Sequence, residues 1–286
     1  MTLHLINLAR KNIKELIPYQ SARKIGGKGD IWLNANESPI SDIFILQETH
    51  FNRYPECQPK SLIVRYSDYV GIPPDNILVT RGADEGIELL MRAFCEPSED
   101  SIIYCPPTYD MYSVNANILG IKSHSIPMLK NWQLDIASIK QKSLRVKLIY
   151  ICSPNNPTGN IIHFKDIKYI LHIFSNTALV VIDEAYIEFC AKKSIVSWLK
   201  DHPNLVILRT LSKAFSLAGL RCGFLLAHSE IIRILSKVIA PYPLPTPVSD
   251  IAYQALSEKN IDIMRNRVLE LNANKFWLIK KLKTIL

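Results

Sequence analysis

The sequence predicts an α/β fold in which helices cover both faces of a β-sheet. Short apolar runs rich in β-branched residues alternate along the chain with helical patterns. The runs are apolar at consecutive positions, as in strands buried on both faces, and not at every second position. A chain of 286 residues is long enough to bury a large core and to form more than one domain.

Five apolar runs are predicted to be strands, and three helical patterns accompany them. The strand candidates are SIIYC (101–105), VKLIYIC (146–152), LVVID (179–183), NLVILR (204–209) and GFLLA (223–227). The helical candidates are GADEGIELLMRAFC, DMYSVNANIL and DIKYILHIFS, in which apolar residues recur at helical spacing. Alternation of these two kinds of element is typical of α/β proteins.

Both ends of the chain differ from this central part. The first 50 residues are irregular and hold one short strand candidate, around Ile31 to Leu33, so we expect an arm that lies over another part of the protein. The segment APYPLPTPVSD (240–250) contains four prolines and is followed by a helical pattern at about 250–284. Prolines end one helix and begin the next, which predicts a boundary there.

Composition excludes several classes of protein. Lys and Arg (34) exceed Asp and Glu (26) by 8, but no run of five basic residues occurs, which argues against nucleic-acid binding. The six cysteines form no CxxC pair or zinc-like cluster, so we expect a reducing, cytoplasmic location and no metal. Charges interrupt the N-terminal apolar residues, so we expect no signal peptide, and no apolar stretch is long enough to span a membrane.

Four polar groups follow predicted strands or begin predicted helices. They lie in the segments RGADEG, SPNNPTG (153–159), DEAY (183–186) and SK (212–213). Ligands of open α/β sheets bind beyond the carboxyl ends of the strands. If the strands are parallel neighbours, we therefore expect these groups to form one site.

Part of this set is suited to bind a phosphate group. Gly82, Ala83 and Asp84 begin a helix, where free backbone N–H groups and the helix dipole favour an anion. The hydroxyl of Ser212 and the guanidinium of Arg221 could complete a phosphate site.

The other part is suited to aldehyde chemistry. Asp183 ends an apolar strand, where a carboxylate needs a cationic partner such as a protonated ring nitrogen. Lys213, partly desolvated and near Arg221, would have a lowered pKa and could act as a nucleophilic amine. Each residue alone has a commoner interpretation, as a turn residue or a lysine that extends to solvent. Together, a phosphate site, a carboxylate suited to a ring cation and a nucleophilic lysine fit pyridoxal phosphate.

The chain resembles fold-type I pyridoxal-phosphate aminotransferases and, more narrowly, the histidinol-phosphate aminotransferases. The stretches that carry the resemblance are PYQSARKIGGKGDIWLNANESP, NRYPECQPK, RGADEGIELL, YCPPTYDMYSV, CSPNNPTG, DEAYIEF, RTLSKAFSLAGLRCGF and VIAPYPLPTPV. The resemblance implies a mostly parallel seven-stranded sheet flanked by helices, with an N-terminal arm and an incomplete small domain.

The resemblance also implies the roles of residues around the cofactor ring. Lys213 would bind the cofactor aldehyde covalently and transfer the proton. Asp183 would pair with the ring nitrogen. Asn156 and Tyr186 would hydrogen-bond the phenolic oxygen, and Tyr109 would stack on the ring face.

The phosphate and substrate sites follow from the same resemblance. The cofactor phosphate would be held by Ala83, Asp84 (through its backbone N–H), Ser212 and Arg221. Tyr54 would reach that phosphate from the neighbouring subunit, so we expect a homodimer. Tyr19, in the arm, would line the substrate pocket, with Asn34 near it.

The implied reaction is transamination of L-histidinol phosphate with 2-oxoglutarate, which gives imidazole acetol phosphate and glutamate in histidine biosynthesis. The alternatives are another aminotransferase of this fold, a phosphothreonine decarboxylase, or a truncated non-catalytic remnant. A nucleotide-binding module is disfavoured because GxGxxG and GxxxxGK[ST] are both absent.

We expect three parts in the chain. Residues 1–45 would form the arm and part of a small domain, residues 46–245 the large cofactor-binding domain, and residues 246–286 the interdomain helix and the start of a truncated small domain. The closing KKLKTIL has no helix-ending signal, and related enzymes continue into a small domain with substrate-binding arginines. We therefore expect either a piece of a longer enzyme or a gene that ends early.

Overall fold

A seven-stranded sheet forms the centre of the computed structural model, which describes residues 8–17, 33–46 and 51–285. Its strands are β1 (Ile77–Thr80), β2 (Ser101–Tyr104), β3 (Lys122–Ser125), β4 (Val146–Cys152), β5 (Leu179–Asp183), β6 (Leu205–Thr210) and β7 (Gly223–Ala227). They are arranged in the order β1-β7-β6-β5-β4-β2-β3.

The helices lie between and after these strands. They are α1 (Lys11–Lys14), α2 (Lys60–Val70), α3 (Gly82–Phe94), α4 (Met111–Leu119), α5 (Ile136–Gln141), α6 (Phe164–Ile173), α7 (Ser229–Leu235), α8 (Thr246–Ala255) and α9 (Glu258–Leu282). Short 3-10 helices span Pro74–Asn76, Ile187–Lys193, Val196–Lys200 and Ala218–Leu220. No helix within the described ranges is both long and apolar enough to cross a membrane.

Strand direction brings the predicted segments to one edge of the sheet. β2 to β6 are mutually parallel, and β7 is antiparallel to both β6 and β1. β1, β4, β5 and β6 therefore end at the same edge, where β7 begins: Thr80 and Thr210 both pair with Gly223. The predicted α/β architecture with a mostly parallel sheet is confirmed.

Apolar side chains cover both faces of the sheet. One buried cluster includes Ile149, Ile182 and Phe224, and the other includes Leu148, Val181 and Leu225. These pairs of sequence neighbours point to opposite faces because successive side chains of a strand alternate. The strands have consecutive apolar residues because they are buried on both faces of the sheet.

The five predicted strands are confirmed, whereas two others were not among the candidates. β1 has only four residues, and β3 is an edge strand of sequence KSHS with exposed or half-buried side chains. Neither provides a long apolar signal. Ile31 and Trp32 lie outside the described residues, and the third residue of that strand candidate, Leu33, is irregular. The three-part domain division remains a prediction.

The C-terminal helical pattern was expected to be continuous over about 250–284, and the structure corrects this. It consists of two helices, α8 and α9, separated at Leu256 and Ser257. The Ser257 side chain accepts a hydrogen bond from the backbone N–H of Asn260 and so caps α9. α8 begins within the proline segment, because proline is tolerated in the first turn of a helix.

Candidate active site

The start of β7 packs closely on the N-terminus of α3. A Cβ atom on Gly223 would lie 2.6 Å from the carbonyl carbon of Gly82 and 2.8 Å from the nitrogen of Ala83. Only glycine permits this approach. It brings the segment after Lys213 against the backbone N–H groups at the start of α3, which is the predicted phosphate site.

Arg221 lies beside these N–H groups. Gly82 has φ +75°, and a Cβ atom there would lie 2.8 Å from Nη2 of Arg221. Arg221 Nη1 donates to Oγ of Ser212 at 3.3 Å, and Nη2 donates to Oδ2 of Asp84 at 3.1 Å. The predicted phosphate residues Ala83, Asp84, Ser212 and Arg221 are therefore brought together.

A chain of contacts leads from this site to Asp183. The hydroxyl of Tyr109 donates to Oδ1 of Asp84 at 2.8 Å, and its ring lies edge-on to that of Tyr112 with centroids 5.9 Å apart. The hydroxyl of Tyr112 donates to Oδ2 of Asp183 at 2.7 Å. Tyr112 was not among the predicted site residues, because its partner is 71 positions away and a buried tyrosine in an apolar helix is typical of a core residue.

Asp183 is a buried carboxylate with neutral hydrogen-bond partners. The residue is 2% exposed and accepts hydrogen bonds from Tyr112 and from the backbone N–H of Ala185. Burial raises the pKa of the Asp183 carboxyl to about 6, although both hydrogen bonds oppose the rise. A cation placed against this carboxylate would offset the cost of its burial.

Lys213 is half-buried, and its amine is close enough to the Asp183 carboxylate to feel its charge. Burial lowers the pKa of its amine, an effect that Arg221 reinforces and that Asp84, Glu37 and Asp183 oppose. Nζ of Lys213 donates to the carbonyl oxygen of Ala35 at 2.7 Å. It also lies 5.5 Å from the centroid of the Tyr186 ring.

A buried ion cluster fixes the loop that carries Tyr186. Arg209 of β6 donates to Glu184 at 2.8 Å, to Glu188 at 3.2 Å and to the hydroxyl of Ser194 at 2.9 Å. Glu184 also accepts from the backbone N–H of Ile195. Arg209 thus holds the loop after β5 through three residues of that loop, and it lies on the strand that leads to Lys213. This role of Arg209 was not predicted from the sequence.

Asn156 lies in a turn that follows β4, and its neighbour Asn155 holds that turn in place. Asn155 is buried, accepts a hydrogen bond from Oγ1 of Thr108, and donates to the carbonyl of Pro107 and to Oγ1 of Thr158. The bonds with Thr108 and Pro107 join the turn to the loop that carries Tyr109, and the bond with Thr158 lies within the turn. β4 ends at Cys152, which pairs with Asp183 in the sheet, so Asn156 is placed on the same edge.

Three further residues, Tyr54, Asn34 and Tyr19, were predicted to contact the cofactor or the substrate. Tyr54 is 80% exposed, stacks on Tyr242 with centroids 4.4 Å apart, and lines a surface cavity of about 540 Å³. Asn34 immediately precedes Ala35, whose carbonyl contacts Lys213. Tyr19 lies outside the described residues.

These residues fit pyridoxal phosphate. The close approach of Arg221 to Gly82 forms a cradle that a Cβ atom would fill, beside backbone N–H groups suited to a phosphate. The buried Asp183 suits a ring cation, and the Lys213 amine suits an aldehyde. No group of three potential metal ligands occurs among the residues that the structure describes.

Comparison with known proteins gives consistent results. The family model of aminotransferase class I and II matches residues 29–285. Histidinol-phosphate aminotransferase of Buchnera aphidicola subsp. Acyrthosiphon pisum (strain Tuc7) is 62% identical over 287 residues, which are 100% of this chain and 78% of that protein.

Two solved structures of histidinol-phosphate aminotransferases have a similar fold. The histidinol-phosphate aminotransferase of Clostridium acetobutylicum superposes with a TM-score of 0.74 at 25% identity, covering 82% of this chain and 70% of that one. The Sinorhizobium meliloti enzyme, solved in complex with pyridoxal-5'-phosphate, gives a TM-score of 0.71 at 22% identity, covering 78% and 61%. The second likeness shows the fold alone. The family model and the 62% identical relative show that this chain belongs to the class I and II aminotransferase family, and its fold and candidate site are consistent with that.

Proposed function

We propose that this protein uses pyridoxal phosphate to transfer the amino group of L-histidinol phosphate to 2-oxoglutarate in histidine biosynthesis. The observation that carries the proposal is the continuous set of contacts from Arg221 through Asp84, Tyr109 and Tyr112 to Asp183, beside the Lys213 amine. The substrate is proposed from the 62% identical relative. A cytoplasmic location and a homodimer are parts of the same proposal.

Pyridoxal phosphate, when bound, supplies an aldehyde that condenses with amines and a ring that withdraws electrons from the substrate carbon. Lys213 would hold the aldehyde between turnovers. Its lowered pKa leaves more of the amine neutral at a given pH, so Nζ can accept a proton from the substrate carbon and donate it again.

The other residues of the site would bind and orient. Arg221, Ser212 and the N–H groups of Ala83 and Asp84 would hold the phosphate, because they present donors to one position. Asp183 would keep the ring nitrogen protonated, because a buried carboxylate favours a cation at its side. Tyr186 and Asn156 would bind the phenolic oxygen, and Tyr109 would lie against the ring.

The test is a visible absorbance spectrum of the purified chain with pyridoxal phosphate, before and after addition of histidinol phosphate. We expect an absorbance band that histidinol phosphate bleaches. In a separate sample, borohydride should abolish the band and leave the cofactor covalently attached to the protein. Lys213→Arg should lose the band, whereas Lys200→Arg, at an exposed lysine, should keep it.

Product analysis distinguishes the reactions. Glutamate formed from 2-oxoglutarate supports transamination, whereas release of carbon dioxide from phosphothreonine without glutamate would replace the proposal by decarboxylation. A band that survives in Lys213→Arg would show that another residue holds the aldehyde.

A further inference from the structure

Residues 33–46, here called the strap, reach Lys213 without forming a helix or strand. The carbonyl oxygen of Ala35 accepts the 2.7 Å hydrogen bond from Nζ of Lys213, although the two residues are 178 positions apart. Irregular backbone keeps a fixed position only through its contacts with other elements. The contacts that hold the strap therefore also determine where the Lys213 amine finds its acceptor.

One ion pair anchors the strap to the long helix α9. Nη1 and Nη2 of Arg267 donate to Oδ2 and Oδ1 of Asp42, each at 2.6 Å. The Arg267 and Asp42 side chains are only 20% and 25% exposed, and the hydrogen bond and charge of Asp42 raise the pKa of Arg267. Two parallel charge-assisted hydrogen bonds shielded from water are stronger than a single exposed pair.

A second contact continues this attachment on α8. Nε2 of Gln254 donates to the carbonyl oxygen of Ile45 at 2.7 Å, three residues beyond Asp42. Gln254 is itself oriented by a 3.1 Å hydrogen bond to Asp250. The far end of the strap is thus held by side chains of both C-terminal helices, and its other end by Lys213.

α9 also contacts the second segment that flanks the Lys213 amine. Nδ2 of Asn272 donates to the carbonyl oxygen of Phe189 at 3.0 Å. Phe189 belongs to the 3-10 helix that follows Tyr186, the residue whose ring faces Nζ of Lys213. One helix therefore fixes both neighbours of the amine, the strap carbonyl and the tyrosine loop.

We propose that Asp42 and Arg267 are positioning residues for Lys213. Their ion pair holds the strap so that Ala35 orients the amine and restricts access to it. Neither residue has a hydrogen bond to Lys213, so both act through the strap. The importance of this positioning for catalysis rests on the proposed function. The effect of the ion pair on the accessibility of the Lys213 amine does not.

The test measures the reactivity of Lys213 in the cofactor-free protein. A trace of acetic anhydride labels lysines, and mass spectrometry gives the labelling rate of Lys213 relative to exposed Lys200. In Asp42→Ala and in Arg267→Ala we expect Lys213 to be labelled about fivefold faster, as for loss of a partly buried ion pair. Urea unfolding and circular dichroism verify that each variant is folded.

Asp262→Ala is the matched control. It removes an exposed 3.1 Å pair with Arg265 on the same helix and should leave Lys213 labelling unchanged. The double variant Asp42→Ala/Arg267→Ala should equal the single variants, because both remove the same anchor. Unchanged labelling in folded Asp42→Ala, an equal rise in Asp262→Ala, or multiplied effects in the double variant would overturn the proposal.

Covalent capture of pyridoxal phosphate by the wild-type protein is measured in parallel. Faster labelling of the variants without capture by the wild type would support the strap anchor and refute the proposed function. Capture by the wild type with unchanged labelling of the folded variants would refute the anchor alone.

Discussion

At the scale of single residues, Asp183 is a buried carboxylate that a neighbouring cation would stabilise. Its carboxyl pKa is raised from 3.8 to about 6 by burial. In the cofactor-free protein between these pH values, the folded state retains a proton that the unfolded state has lost. The contribution of Asp183 to stability is therefore largest below about pH 4 and is lost as pH rises through about 6.

Asp183→Asn should remove this pH dependence. Relative to wild type, the cofactor-free variant should gain about 3 kcal/mol of unfolding free energy between pH 4 and pH 7, from a shift of about two pH units. Urea unfolding at several pH values measures the difference. Asp201→Asn, at an exposed aspartate, is the control. A difference between Asp183→Asn and wild type that does not change with pH would contradict the assignment.

Gly82 allows a second matched comparison. Gly82→Ala should weaken pyridoxal phosphate binding about tenfold, because the new Cβ atom displaces the Arg221 guanidinium. Gly71→Ala has the same strain, with φ +74°, but its Cβ atom meets nothing within 4 Å. Both variants should lose about 1 kcal/mol of stability. Absorbance titration measures the affinity, and equal affinities in the two variants would show that the cradle is unimportant.

Position along the chain was enough to predict some site residues but not others. Asp183 and Lys213 were predicted because polar residues lie at or just beyond the ends of buried strands. Tyr112 and Ala35 were missed, because their roles depend on partners 71 and 178 positions away. A backbone carbonyl such as that of Ala35 also leaves no signal in the side-chain pattern.

At the scale of elements, the site depends on how neighbouring loops are joined at the sheet edge. β5 and β7 coincide with their predicted runs, because both are apolar at nearly every position. β3 could not be predicted, since an edge strand with polar side chains is stabilised by pairing with β2 and not by burial. The loops between the elements are ordered by side-chain hydrogen bonds that no periodicity reveals.

Asn155→Ala should show the effect of one such join. It removes two hydrogen bonds between the loop of Tyr109 and the turn of Asn156, and a third within that turn, so we expect a loss of about 2–4 kcal/mol of stability and a marked fall in kcat. Asn204→Ala also removes a buried amide, which donates to Leu171 and Ala178 away from the site. It should lose stability with little change in kcat. Equal kcat values for the two variants would contradict a specific role of Asn155.

At the scale of the whole molecule, Tyr54 is the predicted cofactor residue that the single chain does not explain. It stacks on Tyr242 beside an open cavity and forms no hydrogen bond with Arg221 or Ser212. An exposed aromatic pair is suited to contact another subunit. The proposed homodimer would give Tyr54 a partner site, because symmetry repeats each contact in both directions.

Mixed dimers test this arrangement. Tyr54→Ala should lower pyridoxal phosphate retention and activity, and Lys213→Ala should abolish activity. After the two variants are unfolded together and refolded, half of the dimers should be mixed, and each mixed dimer should contain one site with Lys213 and the neighbour's Tyr54 intact. Activity should therefore return to about a quarter of the wild-type value. If Tyr54 acts within its own chain, every site of the mixture has one defect, and activity should not exceed that of the two variants refolded separately.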